Sequence, residues 1–283
     1  MLGIIGGSGF YSMEGLEGLE AHNVGTPFGN PSSPVMIGRI GSNPVAFMAR
    51  HGEKHQFTPT EVNYRANIWA LKTVGVDHAV SVSAVGSLDK NLEPSHLAIA
   101  SQYIDFTKGK REPSFFGNGI VAHISTAEPT CPVLSAAINK CCIEKKLPVH
   151  TGVTYACVEG PRLGTRAESF FLRNSGAHIV GMTNVPEAFL AREAQICYTT
   201  LAVVTDYDCW LEDPEKHASV DKIIALYKEN IEKVQDVLRI LATRSHDSSN
   251  CNCQKSLDGA VVSSEDELSS KEKAILSFLR AKS

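Results

Sequence analysis

The chain alternates short apolar runs with amphipathic helical patterns from its start to about position 244, and this alternation limits the folds open to it. Residues 2–5 and 197–205 have the length and apolar character of buried strands, whereas residues 219–244 carry apolar side chains at helical spacing. Strands that alternate with helices are typical of α/β proteins, in which helices cover the sheet. The sequence therefore predicts an α/β fold: one domain with a mixed, largely buried central β-sheet flanked by helices.

The same patterns predict the individual elements. Apolar runs indicate strands at residues 2–5, 35–40, 45–49, 79–85, 97–104, 152–158, 178–181 and 197–205. Helical periodicity indicates helices at residues 62–74, 132–146, 167–175, 186–195 and 219–244, and a terminal helix that ends near Arg280. Ser263 and Ser264 offer the N-cap of that last helix, because acidic residues follow in what would be its first turn.

The composition changes after residue 244. Residues 1–244 form the predicted domain, and residues 245–283 form a polar linker, with the motif Cys251-Asn252-Cys253, followed by the terminal helix. Six of the eight cysteines lie in apolar stretches, where buried thiols are expected. No C-x-x-C pair recurs, so the local spacing does not predict a zinc site. The C-x-C pair forms either a labile disulfide or, in a reducing cytosol, two thiols.

Charge and hydropathy exclude two classes of partner. The net charge of −4 gives no indication of nucleic-acid binding, which usually needs a basic face. No run of eighteen apolar residues is present, so no membrane span is expected. The first residues lack the basic region and cleavage site of a signal peptide, and we expect a cytoplasmic protein.

Several motifs follow predicted strands and fit an anion site. Ser8 lies in a glycine-rich turn after the first strand, where backbone N–H groups can approach a phosphate. Arg50 and His51 follow another strand, and a guanidinium group matches two phosphate oxygens at once. Ser83 and Ala84, in the run SVSAVGS, leave room for a ligand at the carboxyl edge of the sheet.

Asp206 and Asp208 follow the last apolar strand. Two carboxylates at positions i and i+2 of an extended chain face the same way. Two acids in one apolar cleft do not both ionise easily, so one of them should hold a proton. Such a pair can donate a hydrogen bond to one ring nitrogen and accept one from an amine, which matches N7 and the 6-amino group of adenine.

Taken in order, the segments GIIGGSGF, ARHG, SVSAVGSL, EGPR, GMTNVPEA and TDYDCW resemble the trimeric nucleoside phosphorylase family, and within it the enzymes that cleave 5′-methylthioadenosine. The resemblance spans residues 2–241. It implies phosphorolysis without a metal or organic cofactor, with inorganic phosphate as cosubstrate, and assembly as a homotrimer or a dimer of trimers.

The resemblance also implies roles for residues at matching positions. It assigns phosphate binding to Ser8, Arg50, His51, Ser83, Ala84 and Thr183. It assigns catalysis to Asp206 and Asp208. It places Met182 under the ribose, Val220 near the 5′ substituent, and His123 in the site of a neighbouring subunit. The residues that it assigns to base binding are Asp206, Tyr207, Asp208, Leu163 and Gly164.

One segment departs from the family pattern and leaves alternatives open. Leu163-Gly164 follows EGPR where many relatives carry Phe-Ser, and this change leaves relaxed base specificity open, although Asp206 outweighs it in favour of adenine. A broader purine nucleoside phosphorylase that accepts adenosine, inosine, guanosine or methylthioinosine is the alternative enzyme. A non-catalytic nucleoside-binding module is the alternative of another class. A dehydrogenase is disfavoured because the dinucleotide-binding glycine pattern is absent.

Overall fold

A computed structural model describes residues 1–213, 219–244 and 250–281, and for Ser8 it describes the backbone only. In these ranges, nine strands form one mixed sheet in the order β2-β3-β4-β1-β5-β8-β7-β6-β9. The strands are β1 (Leu2–Gly6), β2 (Leu16–His22), β3 (Val35–Ile40), β4 (Asn43–Ala49), β5 (His78–Ser87), β6 (Leu97–Phe106), β7 (Val149–Val158), β8 (Ile179–Gly181) and β9 (Cys197–Asp206).

Strand β9 also pairs with β5, so one end of the sheet closes on itself. Strands β5, β8, β7, β6 and β9 thereby form a ring. Strand β1 runs parallel to β4 and β5, and β5 runs parallel to β9. The carboxyl ends of these four strands therefore meet at one edge, where open α/β proteins bind their ligands.

Helices cover the sheet, as the alternation predicts. They are α1 (Tyr64–Thr73), α2 (Pro132–Glu144), α3 (Arg166–Asn174), α4 (Asn184–Glu193), α5 (Val220–Ala242) and α6 (Ser270–Arg280). Among the described residues, no helix is long and apolar enough to cross a membrane.

Successive residues of β1 pack into two separate apolar cores. Ile4 packs in a cluster with Ile138 of α2 and Val237 of α5, on one face of the sheet. Its neighbour Ile5 packs in a second cluster with Ile68 of α1 and the residues of α4 on the other face. Adjacent strand residues point to opposite faces, so a strand that is apolar throughout must be covered on both sides. The prediction of a largely buried α/β sheet is confirmed.

The sequence patterns miss one strand and misplace one helix cap. Strand β2 lies at the end of the sheet, and most of its side chains are exposed, so it lacks the apolar run that marks the other strands. Helix α6 begins after Ser269, whose hydroxyl accepts from the Glu272 N–H while the Glu272 carboxylate accepts from the Ser269 N–H. The N-cap predicted at Ser263 or Ser264 is wrong, because the backbone at Leu268 is extended and interrupts the helix.

The C-terminal segment 250–281 packs on the second core. Phe278 of α6 stacks on Trp69 of α1, with ring centroids 3.9 Å apart. The Lys72 ammonium group donates to the carbonyls of Ala194 at 2.9 Å and Ala281 at 2.7 Å. Residues 245–249 of the predicted linker lie outside the described residues, and the domain boundary at residue 244 stays a prediction.

All eight cysteines lie in the described ranges and are present as thiols. Five of the six in apolar stretches are buried, and Cys209 is half-buried. Four thiols from distant parts of the sequence lie together: Cys131, Cys197, Cys251 and Cys253. Local spacing does not reveal this group, because the fold brings its members together.

We expect the buried carboxyl group of Glu193 to make folding depend on pH. Burial raises its pKa from 4.5 to about 7, while the Phe115 N–H and the Ser114 hydroxyl, each at 2.7 Å, act in the opposite direction. The folded state therefore binds this proton more tightly than the unfolded chain. Its contribution to stability is complete below about pH 4.5 and is lost as the pH rises through about 7.

Glu193→Gln should remove this contribution, so the difference in unfolding free energy between wild type and variant should change by roughly 3 kcal/mol between these limits. Urea unfolding at a series of pH values measures it. The exposed Glu267→Gln should follow the wild-type curve. Parallel curves for Glu193→Gln and wild type would contradict the assignment.

Candidate active site

The acidic pair lies where β9 ends, and both side chains are buried. Asp206 is the last strand residue, and Asp208 has a positive φ of 52°. The backbone N–H of Asp208 donates to Oδ1 of Asp206 at 2.7 Å, and the Thr205 hydroxyl donates to Oδ2 at 2.8 Å. The expectation of an extended pair is therefore wrong: the chain turns after Asp206, and that turn holds the first carboxyl group.

The electrostatics of Asp206 favour a bound proton. Burial raises its pKa, and the neighbouring carboxylate of Asp208 raises it further. The hydrogen bonds from Thr205 and from the Asp208 N–H act in the opposite direction, but the net shift is upward. A buried acid with a raised pKa is the form that can donate a proton to a leaving group.

The acids lie directly against the end of β5. A Cβ atom added to Gly86 would lie 3.2 Å from Oδ1 of Asp206 and 3.3 Å from Cβ of Asp208. The glycine thus lets the acidic turn approach the strand that carries Ser83 and Ala84. The structure brings these two sequence motifs to one edge of the sheet.

Arg50 lies at the same edge but is engaged by a carboxylate. Its Nε donates to Oε2 of Glu187 at 2.7 Å and its Nη2 donates to Oε1 at 3.0 Å, with both side chains buried. The fork of Arg50 that was predicted to hold two phosphate oxygens thus holds Glu187. Nη1 donates to the carbonyl of Val82 at 3.1 Å.

A buried polar network surrounds this ion pair, and sequence reasoning missed most of it. Oε1 of Glu187 also accepts from the hydroxyls of Ser81 at 2.7 Å and Tyr198 at 2.9 Å. The amide of Asn184 donates to Ser81 and Tyr198, and its oxygen accepts from Ser83 at 3.2 Å. Asn184 and Glu187 belong to GMTNVPEA and both lie in the first turn of the largely buried helix α4, so two polar residues close together among apolar ones were the available signal.

Two predicted phosphate ligands carry hydroxyl groups near this edge, and that of Ser83 already donates to Asn184 Oδ1 at 3.2 Å. Thr183 precedes α4 and is buried, and its hydroxyl makes no hydrogen bond to any residue in the described ranges. Ser83 and the half-buried Ala84 lie near the end of β5. The side chain of Ser8 lies outside the described residues, although its backbone begins a 3₁₀ turn directly after β1.

His51 is held as a neutral imidazole. Burial and the charge of Arg50 together lower its pKa to about 4. Its Nδ1 lies 2.8 Å from the carbonyl of Phe57, so Nδ1 carries the proton and Nε2 is left as an acceptor. His51 can therefore accept a hydrogen bond from a protonated phosphate oxygen but adds no positive charge.

The predicted base and ribose residues lie on loops that contact one another. The Cys209 thiol donates to the carbonyl of Gly164 at 3.5 Å, which joins the 163–164 segment to the acidic turn. The side chain of Leu163 is exposed. Gly160 leaves space for Met182, since an added Cβ would lie 2.4 Å from its sulfur.

Three predicted substrate residues are half-buried or exposed, unlike the buried acidic pair. The Tyr207 hydroxyl donates to the carbonyl of Lys90 at 3.4 Å. Val220 begins α5 and is 59% exposed, directly after a stretch that includes the undescribed residues 214–218. His123 is exposed, and its backbone N–H donates to the carbonyl of Ala260 at 2.9 Å.

The fold and this edge of the sheet place the chain in a known class. The family model described as the phosphorylase superfamily matches residues 1–242, and the chain belongs to that superfamily.

Individual proteins of similar sequence and structure indicate which members of the superfamily this chain resembles. S-methyl-5′-thioadenosine phosphorylase of Geobacter sulfurreducens is 44% identical over 99% of this chain and 97% of the relative. The protein of that name from Thermococcus kodakarensis is 47% identical over 89% of this chain and 95% of the relative. A crystal structure of methylthioadenosine phosphorylase from an antarctic soil metagenomic library has a TM-score of 0.93 and 42% identity, and the match covers 98% of each chain.

We expect the fold to depend on the Arg50–Glu187 pair. Glu187→Ala leaves a buried guanidinium group without its partner, and such a loss costs roughly 3–5 kcal/mol of folding free energy. Glu265→Ala is the control, because Glu265 pairs with Arg280 at the surface, where loss of a pair costs about 0.2–1 kcal/mol. Chemical denaturation measures both. Equal losses in the two variants would contradict a central role for the buried pair.

Proposed function

We propose that this protein catalyses phosphorolysis of 5′-methylthioadenosine to adenine and 5-methylthioribose 1-phosphate, a reaction of purine and methionine salvage. The observation that carries the proposal is the buried Asp206, with its raised pKa and its neighbour Asp208, at the edge that also carries Thr183 and Arg50. The names of the similar proteins support the choice of substrate.

The acids serve the departing base. As the glycosidic C–N bond breaks, its electron pair moves into the purine, and protonated Asp206 donates its proton to N7 so that adenine leaves neutral. Asp208 accepts a hydrogen bond from the 6-amino group. Thr205 and the Asp208 N–H keep the Asp206 carboxyl group in one orientation through their bonds to its two oxygens.

The other side of the site serves phosphate, whose oxygen forms the new bond to the sugar carbon. We assign phosphate binding to the Thr183 and Ser83 hydroxyls, to the backbone around Ala84 and Ser8, and to Nη1 of Arg50, since Glu187 holds the other edge of the guanidinium. Neutral His51 accepts from a protonated oxygen. The bound anion offsets the positive charge that develops on the sugar.

Met182, Leu163, Gly164 and Tyr207 complete the substrate assignment, with Val220 near the 5′ substituent. Phosphate is the cosubstrate, and no metal or organic cofactor takes part in this chemistry. We also propose a cytoplasmic homotrimer or homohexamer with no nucleic-acid or membrane partner. The exposed His123 is available to a second subunit, and Phe171 of α3 is 59% exposed, as subunit contacts require.

A broader substrate range is the second candidate. A Schistosoma mansoni structure described as an adenosine/methylthioadenosine phosphorylase has a TM-score of 0.80 and 36% identity, with 85% of this chain and 90% of that chain covered. The exposed Leu163 favours a base site that tolerates more than one purine. Base release from 5′-methylthioadenosine, adenosine and inosine, with and without phosphate, ranks these substrates. Release that does not depend on phosphate would contradict both enzyme proposals, and absence of release would favour a binding module.

Asp206→Ala should lower turnover of 5′-methylthioadenosine by roughly 10²–10⁴, because the departing base loses its proton donor. Phosphate affinity should persist, since Asp206 is assigned to the base. Steady-state kinetics and phosphate titration measure the two quantities, with the exposed Asp258→Asn as the matched control. Turnover near the wild-type value would remove Asp206 from the mechanism.

Asp206→Asn should shift preference toward 6-oxopurines, because an amide can donate to N7 but does not release a proton. The ratio of kcat/KM for inosine to that for 5′-methylthioadenosine measures this preference. An unchanged ratio would indicate that Leu163 and Gly164 set base choice instead.

Thr183→Val should raise the KM for phosphate by roughly ten- to a hundredfold, because a hydrogen bond to a charged group contributes about 1.5–3 kcal/mol. The substitution preserves shape and removes a hydroxyl group that bonds to no other described residue, so stability should change little. Phosphate-dependent initial rates measure the effect. An unchanged KM would exclude Thr183 from the phosphate site.

A further inference from the structure

The four clustered thiols lie at the end of the sheet opposite to the acids. The sulfur atoms of Cys131, Cys197, Cys251 and Cys253 all lie within 4.8 Å of one another, and those of Cys197 and Cys251 are 3.5 Å apart. Four sulfurs around a tetrahedral zinc ion, each with a bond of about 2.3 Å, are about 3.8 Å from one another. The cluster is therefore compact enough to surround one tetrahedral zinc ion.

Three separate parts of the fold supply these side chains. Cys131 is the N-cap of α2, and Cys197 is the first residue of β9. Cys251 and Cys253 come from the C-terminal segment, where Cys253 begins a 3₁₀ turn. Three of the four are buried and Cys251 is half-buried. Such a closed group, with four protein ligands, fits a structural rather than a catalytic metal site.

Hydrogen-bond donors face two of the four sulfur atoms. The Leu134 N–H donates to the sulfur of Cys131 at 3.4 Å, and the N-terminus of α2 adds a partial positive charge. Nη1 of Arg192 donates to the sulfur of Cys253 at 3.3 Å.

Two other cysteines provide the contrast within the same helix. Cys141 and Cys142 are buried on α2, and burial raises the pKa of both thiols, to about 12 for Cys142. They do not belong to the thiol cluster. They therefore serve as the matched control pair for the cluster.

We propose that Cys131, Cys197, Cys251 and Cys253 bind one Zn²⁺ ion that fastens the C-terminal segment to the start of β9 and to α2. Binding replaces four S–H bonds with four Zn–S bonds and releases four protons, with no oxidation or reduction. The resulting thiolate centre carries a net negative charge, which Arg192 and the Leu134 N–H partly offset. The ten residues of β9 separate the centre from Asp206 by roughly 30 Å, so the ion takes no part in phosphorolysis.

The first test uses the full-length protein, purified under reducing conditions without chelators. Elemental analysis should find one zinc per chain. After zinc removal, Co²⁺ should give the intense visible and thiolate charge-transfer bands of tetrahedral cobalt. A protein that holds no metal after incubation with Zn²⁺, while all eight thiols titrate as reduced, overturns the proposal. So does a protein isolated with these cysteines in disulfides that binds no zinc after reduction.

The second test uses variants. Cys251→Ser with Cys253→Ser should lose zinc and melt at a lower temperature, while base release from 5′-methylthioadenosine at ambient temperature stays near the wild-type rate. Cys141→Ala with Cys142→Ala is the matched control and should retain zinc. Zinc retention by the Cys251/Cys253 variant, or zinc loss in the control, would overturn the assignment. Because the cobalt spectrum is recorded on the wild-type protein, poor folding of a variant leaves the proposal testable.

Discussion

The buried ion pair between Arg50 and Glu187 is the interaction on which the rest of the site depends. Two opposite charges taken out of water are stable only when geometry and further hydrogen bonds compensate for lost hydration. Here the Glu187 carboxylate raises the pKa of Arg50 against the effect of burial. The hydroxyls of Ser81 and Tyr198 donate further hydrogen bonds to the same carboxylate. Arg50 follows β4 and Glu187 belongs to α4, while the hydroxyls that bond to Glu187 come from β5 and β9. The need to neutralise one buried charge therefore holds these four elements together.

This arrangement separates two tasks along the same edge. Around Glu187, charge is balanced within the protein, and the neutral His51 adds none. At the end of β9, burial and the second acid, Asp208, raise the pKa of Asp206. In the mechanism proposed above, such a site would bind phosphate through hydroxyls and backbone groups more than through net positive charge.

The sequence predicts the elements that face the core, because residues such as Ile4 and Ile5 must each be covered on one face of the sheet. It also places Asp206 at the end of a recognisable strand, whereas Thr183 is assigned through the family resemblance, and both roles stay predictions. It misses β2, whose side chains are mostly exposed, and the fork of Arg50, because the partner Glu187 lies 137 positions away. The thiol cluster is missed for the same reason: periodicity reports a residue's local environment, whereas these contacts form only when distant segments meet.

Closure of the sheet has a consequence for how the protein can associate. Strand β9 is last in the strand order but also bonds to β5, so within the described residues β2 is the only terminal strand without a second neighbour. Glu17, Gly18 and Glu20 occupy that strand, and its register shifts between Glu17 and Glu20. Acidic side chains and an irregular register discourage strand-to-strand templating. The one place where this sheet could grow into a fibre is thus protected by residues that contribute little to its core.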